Sequence, residues 1–402
     1  MREVYLDHAA ATPLDPRVRE AMLPYLGEVY GNPSSFHSAG KDAKDAIGDA
    51  RGRIANVLNV RADEILFTSG GTESDNLATL GYVRANKALG NHLITTAFEH
   101  QAVLEAMLHL EKKEGFEVTY LEPDREGMIS VDQVVAAIRP DTLLVSIMHA
   151  NNEIGTIQPI SEIGNAIQKI RSLKPKTSNL TPVFHTDACQ SAGYIDLNQE
   201  TLHIDLLTFN GSKVYGPKGV GALFVKRGIK LQPLQFGGAQ ERGLRPGTEN
   251  VAGIVGLATA LEIAHDSLDE ETQRLSVLRD RLIAGVQASI AKVRLNGHAT
   301  SRLPNNVNIS FMDLEGEALL LYLDAAGIYA STGSACTSAS LDPSHVILSL
   351  GLPYEVAHGS LRFSLGRATT EEDIDYVLDV LPTLVEKLRS LSPVRVDEKY
   401  FK

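Results

Sequence analysis

Ile65-Leu-Phe-Thr-Ser-Gly-Gly-Thr72-Glu-Ser-Asp75 starts as an apolar run, passes through paired glycines and ends on a hydroxyl followed by acidic residues. In that order the residues spell strand, tight turn and helix N-cap. The first N–H groups of a helix have no intrahelical acceptor and lie at the positive end of its dipole, so the junction suits a phosphate. The same letters also fit a tight turn with an ordinary N-cap and no ligand.

Outward from this junction, between Glu64 and Lys226, short β-branched runs alternate with longer amphipathic ones. That is the pattern of β-α units stacked around a mostly parallel sheet. Strands are expected at 65–68, 92–97, 116–121, 143–149, 183–186, 205–209 and 220–225, and helices at 72–87, 101–113, 131–138 and 160–170. Arg171 to Pro182, with two prolines and little pattern, reads as a surface loop. After Val255, leucines recur at helical spacing as far as Leu282, implying a long helix or a helix pair. Strands at 306–311 and 361–364 follow, and Thr369-x-x-Glu372 resembles a capping box ahead of a terminal helix. The expected fold class is α/β: a large domain over 14–255 with a mostly parallel sheet, and a smaller α+β domain formed by 1–13 and 256–402.

With 43% hydrophobic and 22% charged residues in 402, the composition is that of a globular chain. A net charge of -12 argues against a surface that coats nucleic acid, so no direct nucleic-acid binding is expected. Fully apolar stretches such as Ala318 to Leu323 are far below the ~18 residues of a bilayer span, so no membrane role is expected. Two cysteines, Cys189 and Cys336, are too few for a disulfide framework or a structural zinc site. No metal is expected, and the reducing cytoplasm is the natural compartment.

Several side chains stand out by their setting. His100 and Asp187 each follow an expected strand, at the carboxyl ends where open α/β sheets hold ligands; they read equally as a packed histidine and a turn residue. Lys213 lies in the glycine-rich turn after 205–209. A lysine partly desolvated there forms Schiff bases with carbonyls. Lys218 competes for that role, and both also read as solvating lysines of a hairpin. Cys336 sits in the small, hydroxyl-rich stretch Ser331 to Ser340, where an accessible thiolate is a nucleophile, while Cys189 reads as space-filling. Arg362, in the apolar run 360–364, needs a partner if buried. A substrate carboxylate and an internal acid both qualify.

These stretches, in this order, resemble the cysteine desulfurases of the pyridoxal-phosphate-dependent class V aminotransferase group. The likeness covers nearly the whole chain. It includes Tyr5-Leu-Asp-His-Ala-Ala-Ala-Thr-Pro13, Gly31-Asn-Pro-Ser-Ser35, Thr68-Ser-Gly-Gly-Thr-Glu-Ser-Asp-Asn76, Glu99-His100, Asn151-Asn152-Glu-Ile-Gly155, Thr186-Asp187-Ala-Cys-Gln190, Tyr215-Gly-Pro-Lys-Gly219, Arg242-Gly-Leu-Arg-Pro-Gly-Thr248-Glu-Asn250, Gly333-Ser-Ala-Cys336-Thr-Ser-Ala-Ser340 and Arg362-Phe-Ser-Leu-Gly-Arg367. It implies the pyridoxal-phosphate-dependent transferase (aspartate aminotransferase-like) fold. It also implies that Lys213 carries pyridoxal 5'-phosphate covalently, Asp187 meets the pyridine nitrogen, Gln190 the ring hydroxyl and His100 the ring face. Gly71 and Thr72 would hold the phosphate, and Thr248 would reach the phosphate bound by the other subunit of a homodimer. Asn152 would lie at cofactor and substrate, and Arg362 at the substrate carboxylate. Where the family commonly has a serine or threonine and a histidine just before the lysine, this chain has Asn210 and Ser212. Both still offer hydrogen bonds, but a cationic partner for the phosphate is lost.

The activity implied is conversion of L-cysteine to L-alanine, with the sulfur carried as a persulfide on Cys336. Sulfur-acceptor proteins, such as an iron-sulfur scaffold, would then receive it. The long stretch around Cys336 looks like the type serving iron-sulfur cluster assembly and tRNA thiolation. Alternatives on the same scaffold are a selenocysteine lyase or another C–S lyase; a catalytically silent binding subunit is the alternative of a different class.

Overall fold

The computed structural model describes residues 2–173, 182–332, 343–393 and 395–400. In chain order its strands are β1 (Val4–Tyr5), β2 (Ile65–Thr68), β3 (His92–Thr96), β4 (Glu117–Leu121), β5 (Thr142–Ser146), β6 (Val183–Asp187), β7 (Leu206–Asn210), β8 (Gly221–Val225), β9 (Val293–Leu295), β10 (Asn306–Phe311), β11 (Ile328–Tyr329) and β12 (Ser360–Ser364). The strands expected between 65 and 225 are all present. They form one seven-stranded sheet in the order β2-β8-β7-β6-β5-β3-β4. From β7 across to β4 the pairings are parallel, whereas β8 runs antiparallel to both β2 and β7.

Alternation of side chains along the strands builds a core on each face. Ile65, Phe67, Ile94, Val145, Phe184 and Phe209 point into one core with the helices Ser38–Leu58 and Val251–Asp266. Leu66, Leu93, Leu144, Val183 and Leu206 point into the other, against the helix Gln101–Glu114. Because both faces are covered, these strands read in sequence as continuous apolar runs.

The helix expected at 72–87 starts at Gly71 and contains a π-helical turn, Leu77–Gly81. The expected loop from Arg171 begins later, since the preceding helix runs to Ser172. Arg171 is held there by Asp205, a buried acid that also accepts from the Phe184 N–H at 2.9 Å. Residues 174–181 of that segment lie outside the described residues. The capping box is displaced by one residue: Thr370 and Asp373 form it, because the Thr369 hydroxyl accepts from the Gly366 N–H at 2.9 Å instead.

In the smaller unit, β10 lies between β9 and β12 in an antiparallel sheet. The helices Leu268–Ser289 and Glu371–Leu391 pack on it through Leu275, Leu278, Leu282, Ile374, Val377 and Leu381. β1 pairs with β11 in parallel, so the amino-terminal strand joins this unit. The expected boundary at 255 falls inside the helix Val251–Asp266. Leu257, Ala258 and Leu261 of that helix belong to the core of the large sheet. By packing, the change of core comes at Ser267, where the chain turns 72° into the next helix.

Phe209, fully buried on β7, supports the turn that carries Lys213. Phe209→Ala should lower stability by about 3–5 kcal/mol, measured as a fall in the urea midpoint.

Candidate active site

A cavity of about 300 Å³ lies at the carboxyl ends of the parallel strands. It brings together Gly71, Thr72, His100, Asn152, Asp187, Gln190, Asn210, Ser212, Lys213 and Arg362. All but Arg362 arrive at or just beyond strand ends, and Arg362 stands in the middle of β12. β2 runs into the helix that starts at Gly71, β3 leads to His100, β5 to Asn152, β6 ends on Asp187 and β7 runs into the turn of Lys213. Glycine at the first residue of that helix leaves room for its neighbours: a Cβ at Gly71 would lie 2.7 Å from Cys189 Sγ and 3.0 Å from Asn210 Nδ2, so those side chains would have to shift.

Hydrogen bonds fix the polar atoms. His100 caps the helix Gln101–Glu114, its Nδ1 accepting from the Ala102 N–H at 3.1 Å. In the neutral ring the proton therefore sits on Nε2. Asp187 Oδ1 accepts from the Cys189 N–H at 2.8 Å. The Lys213 amine donates to the Ala10 carbonyl, and Gln190 Nε2 donates to the Ala9 carbonyl at 3.0 Å. Ser212 Oγ donates to Asn210 Oδ1 at 3.2 Å, which aims Asn210 Nδ2 toward Cys189 Sγ at 3.4 Å.

At the opposite end, Arg362 comes from β12 with its side chain 3% exposed. Its Nη2 pairs with Asp7 at 2.9 Å and its Nη1 donates to the Asn152 carbonyl at 2.9 Å. Nε has no partner among the described residues. The internal acid weighed for Arg362 is thus present, and the guanidinium still borders the cavity.

The floor of the cavity is acidic and cut off from water. Burial pushes the Glu99 carboxyl up to about 8 and raises that of Glu153, and burial with the Asp187 charge raises Asp75 well above the carboxylate range. Burial lowers His185 to about 3 and His149 to about 4, so both rings are neutral at physiological pH. The Cys189 thiol is pushed well up by burial and the Asp187 charge, so it stays protonated, in keeping with a space-filling role.

Other expected residues lie elsewhere. Lys218 is exposed and does not line this cavity, which sets it apart from Lys213. Thr248 is exposed, outside the cavity of its own chain. It follows a bend where Glu241 and Arg242 are left-handed, at φ 42° and 60°. Glu241 is buried there and bonds the Phe67 N–H at 2.9 Å and Arg51 at 2.5 Å. Cys336 lies outside the described residues. Among the lining or supporting residues without an expected role are Asp7, Asp75, Glu153 and His345. The first three stand in quoted motifs; of these, only Asp7 carries a local signal, a charge among apolar neighbours. His345 follows Pro343-Ser344 with no such signal; its Nε2 lies 3.0 Å from the Glu99 carbonyl, while Ser344 Oγ donates to Glu153 at 2.5 Å.

The model of the family described as aminotransferase class-V matches residues 4–377. The chain belongs to the class-V aminotransferase family. A cysteine desulfurase IscS of Clostridium botulinum is 54% identical over 398 residues, 98% of each chain. Among solved structures, a NifS-like protein superimposes with a TM-score of 0.88 at 37% identity, covering 96% of this chain and all of that one. A structure described as SspA in complex with cysteine has a TM-score of 0.76 at 37% identity, covering 90% of this chain and 98% of that one. Within the family the chain is of the cysteine desulfurase type, and its fold is that of the pyridoxal-phosphate-dependent transferases.

Family membership implies a pyridoxal-phosphate-dependent enzyme, and the cavity suits that cofactor. A primary amine is available for the aldehyde, a carboxylate for the ring nitrogen and a helix start for the phosphate, and Gly71 clears the approach.

Glu99 gives the site a measurable pH signature. Its carboxyl titrates near 4.5 when unfolded and near 8 when folded. Its contribution to stability is therefore complete at low pH and is lost as pH rises through about 8. Glu99→Gln keeps the acceptor used by Thr96 Oγ1 and the Met148 N–H. Its urea midpoint should gain on that of the wild type between about pH 5 and about pH 9.

Proposed function

We propose that the protein takes sulfur from L-cysteine, releases L-alanine and passes the sulfur through Cys336 to an acceptor protein. One observation carries this reading: a single cavity collects the Lys213 amine, the Asp187 carboxyl and the Arg362 guanidinium, which are the groups needed for cofactor, ring nitrogen and amino-acid carboxylate. The solved relative described in complex with cysteine supports the choice of substrate.

When bound, pyridoxal 5'-phosphate supplies an electron sink for the pair left at Cα when its proton departs. The residues divide the remaining work. Lys213 Nζ would hold the cofactor and, with its amine free, would take the Cα proton. Asp187 keeps a negative charge opposite the ring nitrogen, and Gln190 Nε2 meets the ring hydroxyl. Gly71, Thr72, Asn210 and Ser212 would hold the phosphate, hydrogen bonds standing in for the cationic histidine of other members. Arg362 binds the substrate carboxylate while Asp7 balances the rest of its charge, and Asn152 borders both ligands. His100 Nε2 carries the proton that a departing group needs. The Cys336 thiolate attacks the substrate sulfur: the S–S bond forms, the Cβ–S bond breaks, and the electrons left behind are protonated to give alanine.

The exposure of Leu26, Tyr30 and Phe36, at 67%, 85% and 108%, supports a homodimer that covers them. In it, Thr248 would serve the phosphate of the second site. Iron-sulfur cluster assembly and tRNA thiolation are the proposed destinations of the sulfur, and the cytoplasm the proposed compartment. Among the described residues no single helix is long and apolar enough to cross a membrane.

Two substitutions test the reading. Lys213→Ala should abolish the visible absorption of the covalently held cofactor; if the band survives, another lysine is the anchor. Cys336→Ser should still change that spectrum on adding cysteine, while alanine formation falls by roughly a hundredfold, as expected for a lost nucleophile. Undiminished alanine formation would remove Cys336 from the mechanism.

A further inference from the structure

Asp75 borders the cavity behind Asp187, and the chemistry above makes no use of it. It stands on the helix that follows β2 and is 1% exposed. Its Oδ1 has no hydrogen-bond partner among the described residues. Carboxyl oxygens of Asp75 and Asp187 and a ring nitrogen of His100 lie within 4.8 Å of one another.

The groups around Asp75 do not neutralise a second charge. On β6, His185 Nε2 is 3.6 Å from Asp75 Oδ1, but its ring nitrogens lie 2.8 Å and 3.2 Å from the hydroxyls of Ser146 and Thr208. Burial keeps that ring uncharged, so the contact is not an ion pair. On β7, Thr208 offers Asp75 a hydroxyl. Asp187 and Glu99 add acid, Cys189 a protonated thiol, and the Lys213 amine is turned to the Ala10 carbonyl. His100 completes the ring of neighbours, with its Nδ1 committed to the helix cap.

Two carboxyl groups this close in a buried space hold one negative charge more readily than two. The donors decide which residue keeps it. Asp187 accepts the Cys189 backbone N–H at 2.8 Å and opens on the cavity, whereas Asp75 has only the Thr208 hydroxyl and its Oδ1 has no partner among the described residues. We propose that Asp75 is a positioning residue of the cofactor site, an un-ionised carboxyl group behind Asp187 that leaves the single charge of the pair on Asp187, facing the ring nitrogen. The proposal rests on the cofactor reading above. Burial and the charges of Asp187 and Glu99 push the Asp75 carboxyl in the required direction.

Asp75→Asn is uncharged, nearly isosteric and still a donor; Asp75→Ala removes the donor. In the cofactor-free protein near neutral pH, the infrared spectrum of the wild type should contain a protonated-carboxyl C=O band that Asp75→Asn lacks. In the loaded protein, the pH titration of the cofactor absorption should agree between wild type and Asp75→Asn to within about half a unit. Asp75→Ala, which empties the space behind Asp187, should bind pyridoxal 5'-phosphate about tenfold more weakly, with Asp75→Asn close to wild type. The proposal is overturned if the infrared band is absent, if Asp75→Asn lowers the titration by more than that half unit, or if Asp75→Ala binds like wild type. Should Asp75→Asn not fold, Asp75→Ser takes its place with the same expectations. If the wild type gives no cofactor absorption at all, it is the cofactor reading that fails, and the infrared comparison still decides the state of Asp75.

Discussion

The ion pair between Asp7 and Arg362 holds the two halves of the molecule to one site. Arg362 belongs to the small sheet and its side chain is almost completely buried. From Asp7 the chain crosses to the large unit. Ala9 and Ala10 give their carbonyls to Gln190 and Lys213, and the Thr12 hydroxyl receives the Tyr215 N–H at 2.8 Å. Removing one partner of such a pair strands a buried charge, at a cost of about 3–5 kcal/mol. The Arg362 end of the cavity and the Lys213 end are therefore tied together by the short turn from Asp7 to Thr12, in which the Ala10 and Ala11 N–H groups donate to the Asp7 carbonyl.

The parallel sheet decides what that chain meets. Strands covered on both faces have room for polar groups at their ends, and β2, β3, β5, β6 and β7 end on the same edge. The resulting floor is rich in acids, with histidines kept neutral behind it. In so dry an environment the position of one charge matters, because little water screens it.

The large sheet was legible because the strands are buried on both faces and so appear as apolar runs broken by turn residues. Most of the cavity was legible too, since its residues follow those runs directly. What escaped has physical reasons. The helix at 251 is apolar all round, so its sequence does not say which core it joins; packing against the helix Ser38–Leu58 does. The cap moved from Thr369 to Thr370 because a turn at Gly366 uses the first hydroxyl. Arg362 could be seen to need an acid, but Asp7 lies at the far end of the chain and no local pattern links the two. Thr248 is legible through family likeness alone, since nothing in its own chain's cavity calls for it.

The distance in sequence between Asp7 and Arg362 also orders events during biosynthesis. Their contact spans 355 residues. At the usual pace of translation, roughly 20–70 s pass after Asp7 leaves the peptidyl-transferase centre before its arginine has been polymerised. During that interval the large sheet, made of nearer neighbours, has time to form. A ribosome-bound nascent chain that has not yet reached β12 thus offers Lys213 and Asp187 without Arg362, so the whole cavity first exists when the carboxyl-terminal portion has emerged.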